Sequence, residues 1–352
     1  MRVDVLVVGL GPAGGAAAAE AARLGLRVAA VERKRRVGVP VQCAEFIPLP
    51  LGRHARAQGV LLQRIAGMRS FLPSGAMTRS EFAGLMIDRA AFDQALARQA
   101  RAAGAQVLLG SRLIGLDFGA QRASVLTPGG GMEIAYGALI AADGPHSAVA
   151  RCLGEPPLEV VHTRQYTVPL QRPAADTDIW LSPEYPGGYG WLFPKGRLAN
   201  LGVGADKRLA ADLKGPLDRL HRRLMEEGRV GGGIVGRTGG AIPVGGPRAR
   251  LAVGNVMFAG DAAGLAHPVS GGGIAAAVLS GERAARAAAA MGGGDHYAAA
   301  EFEQDIRDQF GAAFARAVAR RRWLARRREA GAAGEDAVQR RGWIGFPEYF
   351  GR

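Results

Sequence analysis

Cysteine is nearly absent from this chain of 352 residues, with only Cys43 and Cys152 present. They form no CxxC pair and no Cys/His zinc spacing, so neither a disulfide framework nor a metal centre is expected, and a reducing, cytoplasmic setting fits. No apolar run approaches the roughly 18 residues that a membrane-spanning helix needs, which leaves only peripheral membrane contact. The opening MRVDVLVVGL has the hydrophobicity of a signal peptide, but Asp4 interrupts the charged lead and the same residues fit a strand running into a glycine turn. Acidic residues are outnumbered 31 to 45 by Lys and Arg, a formal charge of +14. Such an excess suits anionic lipid or an acidic donor protein, while most of it reads as a solvated face and does not call for nucleic acid.

Glycine, by contrast, is abundant: 53 residues within a chain that is 48% hydrophobic, which suits an α/β protein with many tight turns. The length exceeds the roughly 250–300 residues of a single core, so two lobes are expected. Val3 to Val8, Ala16 to Leu24 and Arg27 to Val31 read as strand, helix and strand. A Pro- and Gly-rich stretch follows to about Ile87, then a helix from Asp88 to Ala103 capped by Gly104. From Glu155 to Gly240 the scarce aromatics gather (Tyr166, Trp180, Tyr185, Tyr189, Trp191, Phe193) amid strand-like alternation. The expected fold class is therefore α/β. A discontinuous Rossmann-type domain covers 1–154 and 241–292, with residues about 47–87 open to joining the other lobe. A β-rich substrate domain covers 155–240, and a basic helical segment, with its arginine run from Arg316 to Arg328, covers 293–352.

The clearest chemical signal is Gly9-Leu10-Gly11-Pro12-Ala13-Gly14, set directly after a strand and opening a helix. Its glycines permit a tight turn and close approach of a pyrophosphate, whose charge the helix N-terminus favours. Glu32 ends the second strand, where a carboxylate accepts ribose hydroxyls. These pieces specify an ADP moiety. Two later segments point to a flavin: Asp143 in Ala142-Asp143-Gly144-Pro145-His146-Ser147, and Asp261 in Gly260-Asp261-Ala262-Ala263-Gly264, each after a strand. Asp261 is placed to accept ribityl hydroxyls, and Gly271-Gly272-Gly273 starts a helix whose positive end suits an anionic reduced flavin. No second GxGxxG follows a strand and opens a helix, so no separate nicotinamide domain is expected.

In this order the motifs resemble the flavoprotein group typified by para-hydroxybenzoate hydroxylase, over about residues 1–290. Pro186-Gly187-Gly188-Tyr189-Gly190-Trp191-Leu192-Phe193-Pro194 and Val41-Gln42-Cys43-Ala44-Glu45 resemble the geranylgeranyl reductases within it. The resemblance implies FAD, held by Ala13, Cys43, Ala44, Leu113, Gly273 and Ile274 through backbone and by Glu32, Arg89 and Asp261 through side chains. It implies an isoprenoid or similar apolar substrate along Tyr189, Trp191 and Phe193, and an external donor, NAD(P)H or a reduced electron-transfer protein. Cys43 and His267 are the candidate catalytic groups. Where the cysteine loop of the family continues into glycines, this chain has Phe46-Ile47-Pro48, which implies a remodelled pocket. The expected activity is hydride transfer from reduced FAD to a carbon–carbon double bond; a flavin-dependent hydroxylase and a basic surface-binding flavoprotein with structural FAD stay open beside it.

Overall fold

The computed structural model describes residues 1–210 and 212–351. Strand β1 (Arg2–Val8), helix α1 (Pro12–Arg23) and strand β2 (Val28–Glu32) form the opening unit. The β-branched run of β1 is buried on both faces, as a central parallel strand requires. In the first sheet β1 lies parallel between β2 and the last part of strand Gly130–Ala141. Strand Val256–Phe258 extends that sheet on one side and Gln106–Leu109 on the other, both parallel. The strand ends carrying the glycine turn, Glu32, Asp143 and Asp261 thus share one edge, where ligands of open α/β sheets bind.

The second sheet has seven strands. It is built from Gly236–Pro243, Val160–Pro169, Leu198–Ala205, Gly190–Lys195 and Asp176–Trp180, with Gly67–Phe71 and Met77–Ser80 at its far side. It takes in two strands from the 47–87 stretch and runs to Pro243, three residues past the expected boundary at 240. One face is covered by helix Lys214–Glu226, whose Leu217, Leu220 and Leu224 are fully buried against Tyr166 and Leu201. The other face looks toward the first lobe across the Cys43 loop.

A helix of 32 residues, Ala298–Glu329, joins the two lobes. Its Phe302, Ile306 and Phe314 are buried in the core of the first lobe. The turns that follow it bury Trp343 and Phe346 with Met68, Ile179 and Trp191 of the second. No helix among the described residues is long and apolar enough to cross a membrane.

Small residues set the distance between α1 and helix Ile274–Gly292. A Cβ on Gly281 would lie 2.1 Å from the carbonyl oxygen of Ala13, a backbone atom with no room to give. On Gly311, in the joining helix, a Cβ would meet nothing within 4 Å. Gly281→Ala is therefore expected to destabilise by about 1–3 kcal/mol or more, as overpacking does. Gly311→Ala is expected to stabilise by about 0.4–1 kcal/mol. Chemical denaturation of both variants beside the parent checks the opposed signs.

Candidate active site

The cofactor cradle is built by the three strand ends. Gly9 sits at φ +94°, and a Cβ there would strike the Ala142 carbonyl at 2.4 Å; one on Gly14 would strike that of Gly9 at 1.8 Å. Both glycines are required by the close packing of the turn. Gly11, the N-cap of α1, carries no side-chain cap, and a Cβ there would meet only the tip of Arg89 at 3.9 Å. Ala13 lies in the first turn, and its helix N-terminus is open to an anion. Glu32 accepts from Leu10 N at 2.8 Å and Lys34 N at 2.9 Å, so its carboxylate is fixed at the cradle's edge with lone pairs to spare. Leu113 stands in strand Arg112–Asp117, its side chain buried in the core, leaving only backbone to offer a ligand.

At the other end, Asp261 faces Gly273: a Cβ on that glycine would lie 3.2 Å from its Oδ1. Its carboxylate has no hydrogen-bond partner among the described residues, and burial pushes its pKa up, with Arg89 opposing. Helix Ile274–Gly292 begins at N-cap Gly273 with no side-chain cap, following Gly272. A buried acceptor without a donor beside an uncapped helix N-terminus fits the hydroxyls and electronegative edge of a flavin, and the glycine cradle fits its diphosphate. Asp143 is used differently: Oδ2 caps the helix after it, accepting from Ala148 N at 2.6 Å and Val149 N at 3.2 Å, while Oδ1 is buried without a partner.

Cys43, Ala44 and Arg89 come together on the near side. Arg89 pairs with Asp93 through Nε at 2.9 Å and Nη2 at 3.1 Å. Burial works against the guanidinium, yet Asp93 and the neighbouring Cys43 hold its pKa above the ordinary value. Burial also pushes the Cys43 thiol up, with Arg89 opposing. Both cysteines are free thiols.

Sequence reading missed what holds this loop. Glu45 is 3% exposed and adopts φ +70°. Its Oε1 accepts from Arg89 N at 3.0 Å, and its Oε2 accepts from Asn200 Nδ2 at 2.7 Å and pairs with Lys195. Gln165 Nε2 donates to the Cys43 carbonyl at 3.1 Å and its Oε1 accepts from Trp191 Nε1 at 3.1 Å. Apart from Arg89, 44 positions on, these partners lie more than 120 positions away from the loop, a separation at which a lone sequence carries no signal.

Tyr189, Trp191 and Phe193 share one cluster with Trp343. The Tyr189 hydroxyl donates to the Ser270 carbonyl at 2.5 Å, and its ring meets Trp191 at 5.8 Å and Trp343 at 4.8 Å. Tyr189 and Trp191 line a pocket that reaches Pro268 and Gly271 beside the cradle; Phe193 instead turns to Phe46 at 6.1 Å. That pocket shares Gly187, Gly188, Tyr189, Val244, Val269 and Arg321 with a larger cleft of about 160 Å³. The two pockets therefore adjoin, one beside the cradle and the other against the joining helix.

His267 holds the loop before the helix. Ser270 N donates to its Nδ1 at 3.2 Å, its ring packs on Phe314 and Tyr349, and burial pushes its pKa down to about 4. An imidazole that accepts at Nδ1 and stays neutral caps backbone and is a poor proton source at neutral pH.

A dinucleotide cradle beneath a second, largely antiparallel sheet, with an apolar pocket between them, defines a FAD-dependent oxidoreductase. The pyridine nucleotide-disulphide oxidoreductase family model matches residues 3–204. The chain is 35% identical over 308 residues to a digeranylgeranylglycerophospholipid reductase of Methanosarcina acetivorans, covering 79% of this chain and 73% of that one. It is 34% identical to digeranylgeranylglycerophospholipid reductase 1 of Methanopyrus kandleri, with 88% of each chain covered. A geranylgeranyl bacteriochlorophyll reductase-like structure from Thermoplasma acidophilum superposes with TM-score 0.85 at 28% identity, over 92% of this chain and 88% of that one. The chain belongs to the geranylgeranyl reductase family.

Two predictions follow from this geometry. Asp261→Ala should lose most of the flavin that the parent retains through purification, read as the ratio of flavin to protein absorbance. For His267, the folded pKa lies below the unfolded value of 6.5 at about 4. Its stabilising effect is complete above that unfolded value and is lost as pH falls toward 4, amounting to about 3 kcal/mol. His267→Asn should flatten the fall in stability between those two pH values, measured by denaturant titration.

Proposed function

We propose that this enzyme reduces carbon–carbon double bonds of an isoprenoid or similarly apolar substrate. The observation that carries the reading is the cavity, which meets the cradle at Gly271 and runs outward past Tyr189 and Trp191. The chemistry supplied by FAD, when bound, is hydride donation to the alkene. Glu32, Arg89, Asp261, the glycine turn and the backbone of Gly272 to Ile274 would hold it. Burial of apolar surface at roughly 25 cal/mol per Å² would drive binding of the substrate chain and exclude water from the reacting end.

Cys43 is the proton donor in this reading. Because burial raises its pKa, the sulfur keeps its proton through neutral pH; it accepts from Glu45 N at 3.2 Å and lies near enough to Arg89 and Tyr189 to interact with both electrostatically. Glu45, Lys195, Asn200 and Gln165 act on Cys43 by fixing its loop. Electrons enter from outside, from a reduced protein or a transiently docked NAD(P)H, since the described residues contain a single dinucleotide cradle. The setting is cytoplasmic, at the face of a membrane that supplies the apolar substrate.

Given an isoprenoid alkene and a chemical reductant without oxygen, the holoenzyme should add two hydrogens and form no alcohol. Cys43→Ala should keep its flavin and lose about a hundredfold in turnover, as removal of a general acid does. In the parent, turnover should hold through the ordinary thiol range and fall only at higher pH. A requirement for oxygen with an alcohol as product would replace this reading by the hydroxylase one.

A further inference from the structure

The two adjoining pockets differ in what they can hold. The inner one, beside the cradle, has a volume of about 30 Å³, roughly the share of a single water molecule. The outer cleft, at about 160 Å³, is large enough for an aromatic ring, since a cavity of roughly 150 Å³ admits benzene. Nothing bulkier than water therefore reaches the cradle by this route until the wall between the pockets moves.

That wall is the side chain of Tyr189. Its ring packs at 5.8 Å on Trp191, which lines the inner pocket and not the cleft, and at 4.8 Å on Trp343, which lines the cleft and not the inner pocket. Its hydroxyl reaches across to donate to the Ser270 carbonyl at 2.5 Å, so the ring bars the gap between the substrate sheet and the loop before helix Ile274–Gly292. The other large side chain shared by both pockets, Arg321, is turned away and donates through Nη1 to the Gly187 carbonyl at 2.6 Å.

Both ends of the bar are anchored through backbone. The Ser270 loop is fixed by His267, whose Nδ1 accepts from Ser270 N at 3.2 Å and whose carbonyl accepts from Gly271 N at 2.8 Å. The Tyr189 carbonyl accepts from Gly204 N at 2.9 Å, and a Cβ on the preceding Gly188 would lie 2.0 Å from the Gly204 carbonyl oxygen. Motion is left to the side chain, which turns about its own bonds between staggered positions. Inward rotation is blocked, because Trp191 is tied through Nε1 to Gln165 Oε1 at 3.1 Å and the pocket there is too small for a ring. Outward rotation carries the ring into the larger cleft, against Trp343, which Ser70 Oγ holds at 3.1 Å.

We propose that Tyr189 is a gate between the two pockets, latched by the Ser270 carbonyl and braced by Trp343, and that its outward rotation opens the cradle to a chain lying in the cleft. The closed gate keeps bulk water from the reacting end. The gate rests on this geometry alone; that an apolar chain is what passes it rests on the reading given above.

The test places a thiol behind the gate. Val161 is 6% exposed and lines the inner pocket, and Val161→Cys changes its volume little. The FAD-loaded Val161→Cys enzyme is treated with methyl methanethiosulfonate, and labelling of each cysteine is followed by peptide mass spectrometry. Cys152, an exposed thiol, reports the rate without a barrier. The introduced thiol should react far more slowly than Cys152. Adding Tyr189→Phe keeps the ring and removes only the latch, so labelling behind the gate should accelerate about two- to tenfold, as loss of one hydrogen bond of ordinary net strength does to an opening equilibrium. Trp343→Leu should accelerate it as well, and Cys152 should be unaffected by both. Tyr166→Phe removes a hydroxyl bonded to Asp218 Oδ1 at 2.8 Å on the opposite face of the same sheet, and should leave the rate unchanged. An introduced thiol that reacts as fast as Cys152, one that Tyr189→Phe fails to accelerate, or equal acceleration by Tyr166→Phe overturns the gate without touching the reductase reading. Added geraniol should slow the labelling in every variant; if the gate arm holds and geraniol gives no protection, the apolar-chain reading fails while the gate stands.

Discussion

The site depends on one buried carboxylate. Glu45 spans the junction between lobes, receiving the first backbone N–H of the helix that carries Arg89 on one oxygen and Asn200 with Lys195 from the substrate sheet on the other. To reach both, its backbone takes a left-handed conformation that costs an ordinary residue about 1–3 kcal/mol. The hydrogen bonds and the ion pair offset that cost only while both lobes are in place. Cys43 and Ala44, which lack strong anchors of their own, inherit their position from it.

This explains which parts of the site were legible in sequence. The cradle could be read because its rules are local: Gly9 and Gly14 answer to atoms a few residues away or on the adjoining strand, and Glu32 closes a unit of about thirty residues. The helix from Asp88 and the antiparallel strands before Ala141 follow from periodicity and turn residues in the same way. The partners of Glu45 and Gln165 are fixed by sheet register, which a lone sequence does not reveal. His267 illustrates a different limit. Its neighbours in sequence placed it beside the reacting end, but what decides its chemistry is burial under Phe314 and Tyr349, contributed by the far end of the chain.

The joining helix likewise looked like a charged tail. In the fold it is a structural member with an apolar stripe in the first lobe and its following turns in the second. Trp343 reaches the substrate sheet, donating to Ser70 Oγ at 3.1 Å and packing on Tyr189. The aromatics, rare in composition, are thus concentrated where two lobes and a tail must meet around a cavity. They supply large buried area there, and the Trp343 N–H and the Tyr189 hydroxyl each find a partner.

The adjacency of the two pockets has a geometric corollary for the proposed substrate. A chain that occupied both, from Gly271 beside the cradle to the joining helix, would lie along a ruler. A chain fixed at one end of a ruler presents a set stretch of its length to the other, so regiochemistry becomes a question of span. Double bonds nearer to or farther from that mark are reached only when the chain slides or folds back. The order in which a polyunsaturated chain becomes saturated would then record the length of this cavity.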